Sequence, residues 1–168
     1  IQNLENKYVH DPLTGLLNRR GFYQKMQKIF KICVEQNKYL MIVSADLNGL
    51  KPINDTYGHA DGDIAISTVA KALSVAASND EVCARFGGDE FVVAGQVDSK
   101  EEGQEYIQRV HAYLNSFNAT SKKPYEVSTS LGIVTEIPNE SMTLDQFINQ
   151  ADELMYSEKA KHHLSRGR

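Results

Sequence analysis

Three acids raise the first chemical question. Asp46 ends the continuous apolar run YLMIVSAD, and Asp89 and Glu90 fill the gap in ARFGGDEFVVAG between two strand-like runs. A hairpin at that gap needs glycines such as Gly87 and Gly88, but it does not need two adjacent carboxylates. If the first strand lies beside the hairpin, Asp46 faces Asp89 and Glu90. Three carboxylates together repel one another unless a cation joins them. Oxygen-only ligation suits magnesium or manganese, and magnesium usually also binds substrate phosphates. A pair of such ions about 3.5–4 Å apart activates an attacking oxygen and stabilises a leaving one. Gly87-Gly88 would let backbone approach a ligand closely. The chemistry to expect is phosphoryl or nucleotidyl transfer. By spacing alone the plainer reading stays open, that these are solvated acids at a hairpin tip.

The elements that must position these acids can be read from periodicity. Phe22, Met26, Ile29 and Cys33 recur at helical spacing. YLMIVSAD reads as a central strand, and ligands in mixed α/β folds favour the carboxyl ends of strands. LKPINDTYG reads as a short helix with Pro52 tolerated in its first turn. Ile66, Val69, Ala70, Leu73 and Ala77 mark another helix. EVCARF and EFVVAG form the hairpin. Ile107, Val110, Leu114 and Phe117 mark a helix, YEVSTSLGIVTEI a strand, and Leu144, Phe147, Ile148, Ala151, Leu154 and Met155 the last helix. The order α-β-α-α-β-β-α-β-α predicts an α+β domain, one mainly antiparallel sheet flanked by helices.

A chain of 168 residues fits one domain with a real core. Apolar content of 41% and charged content of 24% are those of a soluble globular protein. The net charge of −4 argues against nucleic acid as a partner. Cys33 and Cys83 sit inside apolar runs and read as core residues of a reducing compartment, not as a disulfide or zinc site. No run approaches the ~20 apolar residues needed to span a bilayer. The expected location is cytoplasmic, with no direct membrane contact by this domain, and a membrane-anchored parent stays open.

GGDEF at 87–91 is the name-giving motif of the GGDEF family, the diguanylate cyclases. Further stretches resemble the family's motifs in its order: DPLTGLLNRRGF (11–22), DLNGLKPINDTYGHADGD (46–63), ARFGGDEF (84–91) and ADELMYSEK (151–159). The resemblance covers nearly the whole chain. It implies a ferredoxin-like, nucleotidyl-cyclase-type sheet over 11–168. Residues 1–10 would end a linker or signalling helix from an upstream sensor. The implied activity joins two GTP molecules into cyclic di-GMP and releases pyrophosphate. Two domains would meet face to face as a homodimer.

The resemblance also implies roles for individual residues. Asp46 and Asp89 match side-chain ligands of magnesium or manganese, two ions per site, with the Leu47 carbonyl as a backbone ligand. Glu90 matches a position that either binds metal or deprotonates the attacking 3′-hydroxyl. Asn54 and Asp63 match guanine-reading positions; a carboxylate can accept from guanine N1–H and the N2 amino group together. The alternative for Asp63 is a helix N-cap. The Asn48, Gly49 and Leu50 amides match a phosphate-binding turn at a helix N-terminus, and Lys51 is placed to assist. Lys159 matches a lysine that reaches the triphosphate. His162-His163 stand where the family usually has Gly-Arg, and neutral His is a poorer phosphate partner than Arg. Asp11, Arg19 and Arg20 of the opening motif are read as structural, an ion pair tying the first helix to the domain. Gly58, His59 and Gly62 are read as turn chemistry.

Two functions follow as expectations. One is an active diguanylate cyclase; the other is a catalytically impaired, GTP-binding switch module, kept open by His162-His163. Many family members carry an Arg-x-x-Asp product-inhibition motif. Here its two positions hold Ser78 and Glu81, so feedback through that window is not expected.

Overall fold

The structure is a computed structural model that describes residues 8–78 and 80–166. The helix tail expected over 1–10 therefore lies, for residues 1–7, outside the described residues. Elsewhere the element order is the one the periodicities predict: α1 (Arg19–Gln36), β1 (Tyr39–Leu47), α2 (Leu50–Tyr57), α3 (His59–Ala76), β2 (Val82–Gly87), β3 (Glu90–Val97), α4 (Glu101–Thr120), β4 (Thr129–Glu136) and α5 (Leu144–Arg166). The strands form one sheet in the order β2-β3-β1-β4, and all three pairings are antiparallel.

Local chemistry sets the boundaries of α1. The Asn18 side chain accepts from the Gly21 N–H, and Asn37, in the left-handed region, donates its N–H to the Cys33 carbonyl. Both ends are thereby satisfied. Pro52 falls in the first turn of α2, where its missing N–H costs no intrahelical bond. α3 begins at His59 and is preceded by Gly58 at φ 94°. Asp63 thus lies one turn inside α3 and does not cap it, which removes the N-cap reading. Gly62 lies within the same helix, so only Gly58 serves as a turn glycine there.

β1 is central and buried from Leu40 onward. Its side chains alternate between two cores. Met41, Val43, Ala45 and Leu47 pack with Phe91, Val93 and the inner faces of α3 and α4. Leu40 and Ile42 pack with Val92, Ala94, Phe22 and Met26 of α1, and Phe147 and Ala151 of α5. Truncating a fully buried residue such as Leu40 to alanine costs about 2–5 kcal/mol. The alternation places Ser44 and Asp46 on the α1/α5 side. That otherwise apolar face ends in two polar groups, and α5 must supply polar partners for both.

Candidate active site

The β1–β3 register sets Asp46 directly opposite Glu90. The Leu47 N–H donates to the Asp89 carbonyl at 3.0 Å. The end of β1 and the hairpin tip are thus stitched together, and the three predicted acids share one end of the two inner strands. Asp46 is 4% exposed, and its Oδ1 has no hydrogen-bond partner. Its Oδ2 lies 2.6 Å from the Lys159 ammonium, which is also 3.9 Å from Asp89 Oδ2. Burial pushes the Asp46 carboxyl up to about 6; the Lys159 hydrogen bond pulls against this, and the Asp89 charge adds to it. Glu90 is exposed at the tip.

Among the described residues no three acids, imidazoles or thiols are drawn tightly enough together to hold a cation. What sits against Asp46 and Asp89 is a cation from the chain itself, the Lys159 ammonium. A buried carboxylate with one oxygen unpartnered, next to a second carboxylate sharing one positive charge, is a donor set that fits magnesium or manganese.

The hairpin tip is held from below. Arg85 donates to the Gly88 carbonyl from Nε at 3.1 Å and from Nη2 at 2.8 Å. Its Nη1 reaches both Asp11 oxygens at 3.2 Å. Asp11 also accepts from the Thr14 N–H and hydroxyl. The opening motif therefore braces the hairpin, a more specific role than tying α1 to the domain. Arg19 stacks instead over Phe86, 4.4 Å from its ring centre. Neither Gly87 nor Gly88 has a positive φ. A Cβ at either would meet no atom within 4 Å. The turn does not itself demand these glycines, contrary to the sequence expectation. They leave open surface at the tip, where a ligand's atoms could come close to backbone.

Beyond Asp46 the chain turns into α2. Gly49 adopts φ 71° before the helix, and no side chain caps its N-terminus. The first N–H groups of a helix lack intrahelical partners, so the Gly49–Lys51 amides are the ones placed to receive an anion. The Asn48 amide is not among them, because it donates to the Ser128 carbonyl at 2.9 Å. The buried Asn48 side chain donates to Ser128 Oγ at 3.1 Å and accepts from Ser130 Oγ at 2.8 Å. It fastens the turn to β4. Lys51 is exposed and 4.0 Å from Asp55.

Asn54 on α2 and Asp63 on α3 flank the corner between these helices. The Asn54 side chain occupies the space left by Gly62, where a methyl group would collide with its Oδ1. That oxygen is buried and without a hydrogen-bond partner. Asp63 is exposed.

Three contributors escaped the sequence reading as site residues: Arg85, Ser44 and Asp152. The Ser44 hydroxyl donates to the Asp152 carboxylate on α5. Asp152 lies seven residues, or two turns, before Lys159, so both project toward β1. The signal available was a serine inside an apolar run, two residues before Asp46. His163 is exposed on α5.

The profile of the family described as "Diguanylate cyclase, GGDEF domain" matches residues 8–164. A curated relative, diguanylate cyclase DgcP of Escherichia coli, is 34% identical over 153 residues, covering 90% of this chain and 44% of that protein. The chain thus spans less than half of that relative's length. A solved structure of the coiled coil and GGDEF domain of DgcB from Caulobacter crescentus, in complex with c-di-GMP, superposes with a TM-score of 0.85 at 20% identity, over 95% of this chain and 85% of that one. The isolated GGDEF domain of TpbB (YfiN) from Pseudomonas aeruginosa gives a TM-score of 0.82 at 27% identity, over 90% and 89% of the two chains. No described helix is long and apolar enough to cross a membrane. With a family profile matched from residue 8 to residue 164 and this sheet order, the chain belongs to the GGDEF domain family.

Proposed function

We propose that this domain is a diguanylate cyclase that condenses two GTP into cyclic di-GMP and releases pyrophosphate. The observation that carries the reading is the convergence of Asp46, Asp89, Glu90 and Lys159 at one end of the inner strands, beside the uncapped N-terminus of α2. The Gly49, Leu50 and Lys51 amides, with the Lys51 and Lys159 ammonium groups, hold the triphosphate. Asn54 and Asp63 read the guanine edge, with the Asp63 carboxylate accepting from N1–H and the N2 amino group. Gly87 and Gly88 admit the substrate to the hairpin backbone. Asp46, Asp89 and the Leu47 carbonyl would hold magnesium or manganese, the expected complement being two ions. Such ions supply positive charge where negative charge develops on phosphate and attacking oxygen. Glu90 either joins the ligand set or takes the proton of the 3′-hydroxyl.

One domain binds one GTP, and the product requires two. Each 3′-hydroxyl attacks the α-phosphate held by the partner copy, so two phosphodiester bonds form and two pyrophosphates leave. Catalysis then requires a homodimer, and an upstream N-terminal sensor is the partner that would set it. Specific activity should rise with protein concentration, and a leucine zipper fused ahead of residue 8 should raise it further. Concentration-independent turnover by a demonstrated monomer would exclude this arrangement.

A second reading, a GTP-binding module without turnover, is favoured by His162-His163, which replace an expected arginine. Incubating concentrated protein with GTP and magnesium separates the two. Cyclic di-GMP supports the first reading; bound, unconverted GTP supports the second.

A further inference from the structure

The Lys159 ammonium is the cation paired with Asp46 among the described residues, at 2.6 Å, and Asp89 is within 3.9 Å of the same nitrogen. The Lys159 side chain is 24% exposed. Its helix is pinned nearby, because Asp152 is hydrogen-bonded to Ser44 on the central strand. The backbone under Lys159 is therefore fixed, while the ammonium ends a flexible four-carbon stem that reaches solvent. One ammonium serves two carboxylates, and one Asp46 oxygen still has no partner.

We propose that Lys159 is the resident counter-ion of the Asp46–Asp89 pair, competing with the divalent cation until a nucleotide triphosphate draws the ammonium away. This rests on the cyclase reading of the same site. While Lys159 sits on Asp46, an incoming cation must break that ion pair. Once the triphosphate takes the ammonium, Asp46 is a buried charge without a partner beside a second carboxylate. That arrangement is strongly unfavourable, and its affinity for a cation rises. Nucleotide and cation then bind with positive coupling, and by linkage each strengthens the other equally. The lysine matched to a phosphate contact has a second post in the nucleotide-free protein.

The test uses manganese alone, without nucleotide, and follows free Mn2+ by electron paramagnetic resonance. Lys159→Met keeps the stem and removes the charge. It should bind Mn2+ about tenfold or more tighter than the native chain, the scale of one close charge contact of intermediate dielectric. Lys159→Gln should behave like Lys159→Met, and Lys159→Arg should bind Mn2+ as weakly as the native chain. Thermal melting establishes that each variant is folded. Equal Mn2+ affinity in the native chain, Lys159→Met and Lys159→Gln would overturn the competition while leaving the metal site standing. Mn2+ binding that is undetectable in all of them, or indifferent to Asp46→Asn, would overturn the metal site and the competition with it.

A second measurement follows the lysine itself. Its terminal methylene resonance, assigned by its loss in Lys159→Arg, should shift on Asp46→Asn in the free protein. With a non-hydrolysable GTP analogue in chelator it should no longer respond to that substitution. A resonance that responds equally in both states would show that the triphosphate never takes the ammonium.

Discussion

Arg85 grips the carbonyl of Gly88 with two donors, at 3.1 and 2.8 Å, one residue before Asp89. A third donor holds Asp11 at 3.2 Å, and the Arg85 and Asp11 side chains are only 16% and 15% exposed. Arg85 therefore sets the path of the hairpin tip. Lysine keeps the charge but lacks the planar fork, so it cannot hold both partners. Arg85→Lys is expected to lower turnover by about tenfold or more with a smaller change in GTP affinity, because a displaced catalytic group costs rate before binding. Arg85→Ala leaves Asp11 half-buried without its cation and should cost about 1–3 kcal/mol of stability. Steady-state kinetics and thermal melts check both. Unchanged turnover in Arg85→Lys would remove the positioning role.

Asp11 and Asp46 respond to pH in opposite directions. Burial pushes Asp11 up, but its hydrogen bonds from Thr14 and its contact with Arg85 outweigh this, and it lies below its ordinary 3.8. Its contribution is present above that value and is lost as pH falls through the lowered one. Asp46 is pushed up to about 6, chiefly by burial. Its contribution is full below its ordinary 3.8 and is lost as pH rises through about 6. Above that pH the metal-free domain carries an ionised carboxylate at a cost on the order of 3 kcal/mol. Asp46→Asn should therefore raise the melting temperature in chelator by about 6–12 °C at slightly alkaline pH. In mild acid, near the ordinary carboxylate value, it should leave melting nearly unchanged. Equal shifts at both pH values would contradict the assignment.

Much of the frame could be read from the chain because its signals are local. The apolar run 39–46, the helical spacing of Phe22, Met26 and Cys33, and the gap at Gly87-Gly88 each announce their element within a few residues. The meeting of Asp46 with Glu90 required only that β1 lie beside the hairpin, as it does. The braces could not be read this way. Arg85 finds Asp11 across 74 residues, Ser44 finds Asp152 across 108, and Lys159 finds Asp46 across 113. No period or spacing encodes such pairs; they exist only once both sheet faces have packed. Gly62 misled for a related reason: a glycine after Gly58 looks like turn chemistry, and its use by Asn54 depends on how α2 meets α3.

Asp89 and Glu90 sit at a hairpin tip, half-exposed and exposed respectively. Neither supports a core. Alanine at either should abolish cyclic di-GMP formation while changing stability by no more than about 0.5 kcal/mol, as for most surface substitutions. Chromatographic product analysis and thermal melting of the same preparations separate chemistry from folding. Retained turnover in the folded double variant would remove both residues from the proposed machinery.

Product feedback through residues 78–81 should be absent. The Ser78 hydroxyl is exposed and donates to the Glu81 carboxylate. The adjoining cavity, of about 310 Å³, is lined by Ile29, Ile32, Asp80, Glu81, Asp98 and Glu102 among others, with no lysine or arginine among the described residues of its wall. A cyclic dinucleotide brings two phosphate charges. Binding here would place them against four carboxylates with no guanidinium fork to receive either a phosphate or a guanine edge. Calorimetry of cyclic di-GMP against the purified domain should therefore show no micromolar binding that depends on this window, and added product should not slow GTP turnover through it. Micromolar binding that disappears in Glu81→Ala would show that this acidic wall recognises the product after all. Binding that survives the substitution would place the dinucleotide elsewhere, and competition by GTP would then identify that place as the Asp46–Asp89 site.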